Sequence, residues 1–183
     1  MARGDDEVRR TFTANFLFVV LESIIFCIGY GVCEDGSISL DKHGATCTWW
    51  RRASATGLAW FYWNAGWLHF NPHFDRFFLD IMPPFLPAKR ALIRWSGHAE
   101  LLLAAMWVIS QIPPFESWRM VVTERRAAWA TIALLIAVFP ANLYHAYSRK
   151  AQKKTRVGRT AALARLPIQL AFIAWAHWHT RSF

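Results

Sequence analysis

Five apolar runs, each roughly 17 to 21 residues long, lie at about 12–32, 53–70, 91–110, 127–147 and 163–179. A helix of about 20 residues crosses a hydrocarbon core, and lipid leaves no solvent for unpaired backbone groups. A chain that repeats this length five times is constrained to an all-α membrane protein. The second and fifth runs are short and call for local thinning or flanking anchors. Tryptophans stand where such anchors are needed. Trp49 and Trp50 precede the second run, Trp95 and Trp107 lie near the ends of the third, Trp129 opens the fourth, and Trp175 and Trp178 fall late in the fifth. Indole rings favour the headgroup level.

A net charge of +9 raises the question of nucleic acid. The cations sit between the apolar runs and not along one amphipathic face, so no nucleic-acid partner is expected. They read instead as the flanks of membrane spans. With five crossings, fourteen Lys and Arg residues fall on the side of the N-terminus and of the 148–162 connection, and seven on the other. Removing the first crossing would reduce the split to eleven against ten. The asymmetry places the N-terminus inside and the C-terminus outside. The stretch 148–162, cationic and without aromatics, is expected to contact anionic lipid.

The opening residues, MARGDDEVRR, contain too many acids for a transit peptide. The run that follows is too long for a usual signal sequence, so it is read as a retained anchor. Cys33 and Cys47 flank the polar stretch on the outer side, where an oxidising compartment would allow a disulfide between them; two ordinary thiols are the alternative.

Residues 69–87, HFNPHFDRFFLDIMPPFLP, are too charged to cross a membrane and too aromatic for an ordinary soluble loop. Asn71-Pro72 marks a turn, and Phe74, Phe77, Phe78 and Ile81 follow at i, i+3, i+4 and i+7, one face of a helix. Pro83-Pro84 ends it. A short helix with an aromatic face and a charged back is expected to lie in the membrane interface.

From Gly57 onward the ordered segments NAGWLHF (64–70), IMPPFLP (81–87), SGHAELLL (96–103), AAWATIALLIAVFPAN (127–142) and RLPIQL (165–170) resemble the DoxX-like family of small membrane proteins. The resemblance covers about two-thirds of the chain. It implies a four-helix membrane core, here 53–183, in a family associated with quinone-linked and other redox complexes. The part at 1–52, one extra N-terminal transmembrane helix and an outer loop, falls outside the pattern.

Chemistry inside such a core would have to come from its few polar residues. Glu100 and Glu22 each fall midway along a run, where a carboxylate is costly unless protonated, paired or facing a cavity. For Glu100 the plain reading is a packing hydrogen bond to Asn64, Asn142 or Gln169. Pro140 frees the carbonyl of Ile136, which Asn142 is placed to help satisfy. His69, His98 and His145 share the inner leaflet, and with Glu100 and Asn142 they form a candidate quinone or lipid pocket. Two of these imidazoles could also hold a b-type haem, although interfacial or structural roles are the plainer reading. His98 and Glu100, two residues apart, point to different faces. No metal-ligand spacing, phosphate loop or hydrolase constellation is legible, and no cofactor is required; a lipid or quinone is the candidate bound molecule.

Three functions fit these residues. The first is an accessory subunit of a respiratory or other membrane redox complex, without catalysis of its own and partnered by that complex's other subunits. The others are a quinone-reactive oxidoreductase subunit and a small-solute or lipid-handling protein. The expected site is an energy-transducing membrane, with the mitochondrial inner membrane placed ahead of the bacterial cytoplasmic one.

Overall fold

The computed structural model describes residues 40–111, 122–155 and 157–181, with side chains from Trp50 onward. The first expected span, with Glu22, lies outside the described residues, as does Cys33. Cys47 is helical, but its side chain is not described, so the Cys33–Cys47 pairing also lies outside them.

Six helices and no strands make up the described residues: α1 (Leu40–Leu68), α2 (Pro72–Ile81), α3 (Lys89–Ile109), α4 (Glu124–Tyr147), α5 (Arg149–Thr155) and α6 (Arg159–Trp178). The fold is all-α, as expected. Four helices are long, at 29, 21, 24 and 20 residues for α1, α3, α4 and α6. At about 1.5 Å per residue, even the shortest measures about 30 Å. One described helix, α4, is both long and apolar enough to cross a membrane. The other three long helices have the length but carry charge, including Arg51 and Arg52 on α1, Arg94 and Glu100 on α3, and Arg165 on α6.

Two segments expected as loops are helical. Residues 40–52 belong to α1, because no proline interrupts the chain from Leu40 to Leu68 and the backbone gains by continuing its own hydrogen bonds. Residues 149–155 form α5. Its Lys, Gln and Ala are good helix formers, and Ser148 accepts from the Ala151 amide at 3.3 Å to start it.

The short helix α2 follows the expected signals. Asn71 caps it, accepting from the His73 amide at 3.1 Å, with Pro72 as its first residue and extended backbone at Met82 just before Pro83. Phe74 and Ile81 are buried. Lys154 on α5 reaches Asp80 on α2 at 3.3 Å, so the two short helices pack together across one end of the bundle.

The long helices associate mainly as two pairs, α1 with α3 and α4 with α6, and a thinner α3–α4 seam joins them. Small residues allow the approach: Ala55 and Ala59 on α1, Ala104 on α3, and Ala127 and Ala128 on α4 are all buried. Tyr62, Trp107, Phe172 and Trp175 fill the remaining space, and Trp107 is fully enclosed. Its indole N–H donates to Thr131 Oγ1 at 3.1 Å and ties α3 to α4.

Pro140 and Pro167 lie inside α4 and α6, and both are exposed. Near Pro140 the side chain that reaches the α4 backbone comes from the neighbouring helix. Gln169 on α6 donates to the carbonyl of Leu135, and Asn142 donates to Gln169 Oε1 at 2.9 Å. Asn142, expected to help satisfy the freed Ile136 carbonyl, instead bonds Gln169, whose own donor goes to the carbonyl one residue earlier.

Candidate functional site

Polar side chains concentrate at the two ends of the bundle. One end holds the residues singled out from the sequence. There α1 and α3 meet at two glycines, Gly66 and Gly97. A Cβ on Gly97 would stand 2.6 Å from the Cβ of His69, and one on Gly66 would stand 2.9 Å from the carbonyl oxygen of Gly97. Only a hydrogen fits at either point.

This approach brings His69 to Glu100. The His69 Nδ1 lies 2.9 Å from the Ala65 carbonyl and 3.2 Å from Glu100 Oε2. One ring N–H cannot point well at both. The nearer carbonyl takes it, and Glu100 Oε2 is left in ion-pair range but without a hydrogen bond. The hydroxyl of Tyr62, buried in the same seam, also has none. The partners expected for Glu100 are engaged elsewhere. Asn64 donates to the Trp60 carbonyl of its own helix, and Asn142 and Gln169 bond each other.

His69, His98 and His145 share this end, each against different aromatic rings. His69 stacks on Phe78 with centroids 4.0 Å apart, and Phe77 stands between Phe78 and His145 at 5.7 and 6.1 Å. His98 is exposed and lies against Phe70 and Trp95. Buried His145 faces Thr155 Oγ1 through Nε2 at 2.9 Å, which ties α4 to α5, and Arg165 lies over the Phe77 ring. Phe77 and Phe78 thus lie between the rings of His69 and His145. No group of three or more metal-ligating side chains occurs among the described residues.

The opposite end holds a network that joins three helices. Arg51 on α1 donates to Glu124 Oε1 at the start of α4 (2.9 Å), and through its other nitrogen to the Arg181 carbonyl at 3.1 Å. The same Glu124 oxygen faces His179 Nδ1, just beyond α6. His179 Nε2 then lies 3.0 Å from Ser54 Oγ on α1, and the Trp175 indole N–H donates to that hydroxyl. Trp107 and Trp178 edge the imidazole, each with its centroid at 4.9 Å. Ser54 and His179 are 2% and 1% exposed. With a carboxylate at Nδ1, that nitrogen carries the proton. Nε2 is then an acceptor, and the Ser54 hydroxyl donates to it.

The family model for a domain of unknown function, DUF8561, matches residues 58–180. The chain belongs to the DUF8561 family. No curated protein and no solved structure matches it. The DUF8561 segment takes in the His69–Glu100 seam and both Glu124 and His179. Arg51 and Ser54 lie just before it, on the part of α1 that the family match leaves out.

No hydrolase constellation is legible in the sequence of this DUF8561 chain, yet the structure assembles Ser54, His179 and Glu124 in a line. They are 55 to 125 residues apart, and no local motif joins them. The available signal was positional. Glu124 opens one apolar run, His179 closes another and Ser54 begins a third, so long helices that run alternately up and down bring all three to the same end.

Proposed function

We propose that this protein is an integral-membrane scaffold, an accessory subunit of a membrane redox complex that contributes no electron-transfer chemistry of its own. The observation that carries the membrane reading is the outer surface of the long helices. Only 22% of the apolar window of α4 is buried, and Trp63 and Trp67 on α1 are 57% and 62% exposed, with Trp95, Leu102, Ile136 and Leu170 exposed elsewhere. An aqueous protein seldom shows so much contiguous apolar surface, whereas lipid is a solvent for it. The four long helices are the core of the five crossings. Helices α2 and α5 lie in the interface, with Arg149, Lys150 and Lys153 of α5 exposed toward anionic headgroups. The accessory role is supported by the pairing of Asn142, Gln169 and His145 within the bundle, and its redox setting by the DoxX-like resemblance.

Two measurements test this reading. Purification in a mild detergent is expected to recover other membrane subunits in fixed stoichiometry; recovery of this chain alone would remove the accessory role. Single cysteines placed at positions 5 and 155 are expected to react from the same side of sealed vesicles. Labelling from opposite faces would exclude the four crossings, an even number, that the orientation requires between the N-terminus and α5.

A second reading, a quinone-reactive subunit, draws on the unsatisfied Glu100 Oε2 and Tyr62 hydroxyl, an acceptor and a donor buried in one seam. The two readings predict different variants. Since Oε2 makes no hydrogen bond and Ala65 keeps the His69 N–H, Glu100→Leu is expected to cost less than about 1 kcal/mol of stability and to assemble normally. If assembly is normal but quinone-dependent electron transfer in the complex is lost, the scaffold reading gives way to the second.

A further inference from the structure

We propose that Ser54 is an activated nucleophile for acyl transfer, with His179 as its base and Glu124 as the positioning residue. The inference goes beyond the scaffold reading and does not depend on it. Hydroxyls inside helices ordinarily bond back to the turn before them. Those of Thr56 and Thr131 do so, donating to Arg52 and Ala127, and Ser96 and Ser110 donate to Ile93 and Trp107. Ser54 instead faces an imidazole nitrogen at 3.0 Å. The same imidazole is held from behind by a carboxylate, which Arg51 in turn fixes at 2.9 Å. A nucleophile, a base within hydrogen-bond reach and a third group orienting that base are the elements of an activated serine. The Trp175 N–H occupies one lone pair of the hydroxyl and sets its direction, leaving the other for attack.

The surroundings indicate the substrate class. Trp107, Trp175 and Trp178 crowd the site with apolar surface, which suits a carboxylic ester with an apolar acyl chain. Ser54 Oγ bonds to the ester carbonyl carbon as its proton passes to His179 Nε2. The tetrahedral intermediate collapses, the ester C–O bond breaks, and the departing alcohol takes that proton. Water then attacks the acyl-serine with His179 again as base, releasing the acid and restoring the hydroxyl. No oxidant or metal enters the balance. The Arg51–Trp178 pair, with its guanidinium 5.5 Å from the ring centroid, lies one helical turn from Ser54 toward the start of α1.

A fluorophosphonate tests the proposal directly, since Ser54 would form the O–P bond, expel fluoride and pass its proton to His179. The purified full-length protein in mild detergent is treated with diisopropyl fluorophosphate, and labelled serines are located by peptide mass spectrometry. Ser54 is expected to label at least tenfold faster than Ser96, Ser110 and Ser148 of the same chain. In folded Glu124→Gln and His179→Asn proteins, Ser54 labelling is expected to fall at least tenfold. Wild-type labelling of Ser54 no faster than the other three overturns the proposal, and this comparison holds even if the variants do not fold. Folded variants that label Ser54 at the wild-type rate overturn it equally.

Discussion

Replacing Gly97 with leucine is expected to destabilise the bundle by about 3 kcal/mol, and replacement with alanine by somewhat less. The reason lies in what the new carbon meets. A Cβ at this position would stand 2.6 Å from the Cβ of His69, an atom fixed to its own backbone and unable to swing aside. Helices α1 and α3 would have to separate, and the Gly66 contacts with Gly97 and Leu101 would open with them. Gly158→Ala supplies the control, because nothing lies within 4 Å of a Cβ there. Unfolding in detergent, followed by tryptophan fluorescence, measures the difference. Midpoints for Gly97→Ala and Gly97→Leu that match Gly158→Ala would show that the helices do not meet as closely as described.

The second large effect is expected from Glu124→Ala. One carboxylate oxygen serves both Arg51 and His179, so its removal strands a buried imidazole and loosens a partly buried guanidinium. Breaking a fully buried pair costs about 3–5 kcal/mol; Glu124 is 28% exposed, so about 2–3 kcal/mol is expected. A double-mutant cycle with His179→Ala is expected to give a coupling of about 1–2 kcal/mol. Lys154→Ala provides the contrast, since its pair with Asp80 is 55% exposed on the lysine side and should cost less than about 1 kcal/mol. Additive losses for Glu124 and His179 would mean that the two side chains are neighbours without being partners.

What the sequence made legible was local. The start and end of α2 are written in Asn71, Pro72 and Pro83, because capping and proline geometry act within a few residues. The runs expected at 91–110, 127–147 and 163–179 correspond to α3, α4 and α6 within about four residues at each end. Less legible was where a helix continues through polar sequence, as α1 does back to Leu40, since charged and hydroxyl residues tolerate helix without announcing it. Least legible were the meetings between helices. Glu100 was assigned three partners by chemistry alone, and it faces His69 because two glycines set the distance and rotation of α1 against α3. The only advance sign was the pair of small residues themselves. Ser54, Glu124 and His179 gave still less, because each is unremarkable in its own segment and the topology alone makes them neighbours.

The network at the Ser54 end also has a consequence for the order in which the chain is made. Ser54 leaves the ribosome 125 residues before His179, and Arg51 precedes Glu124 by 73. Through most of synthesis, then, α1 and α3 can settle on each other while the polar side chains near the start of α1 wait for their companions. Ser54 can bond back to its own helix in the interval, as its neighbours do permanently. Emergence of α6 and of His179 just beyond it offers Ser54 the imidazole in exchange, so α6 acts as a latch that shuts on a bundle whose α1, α3 and α4 are already made. A chain stalled before α6 would expose an open polar end within reach of the quality-control machinery, and completion would hide it.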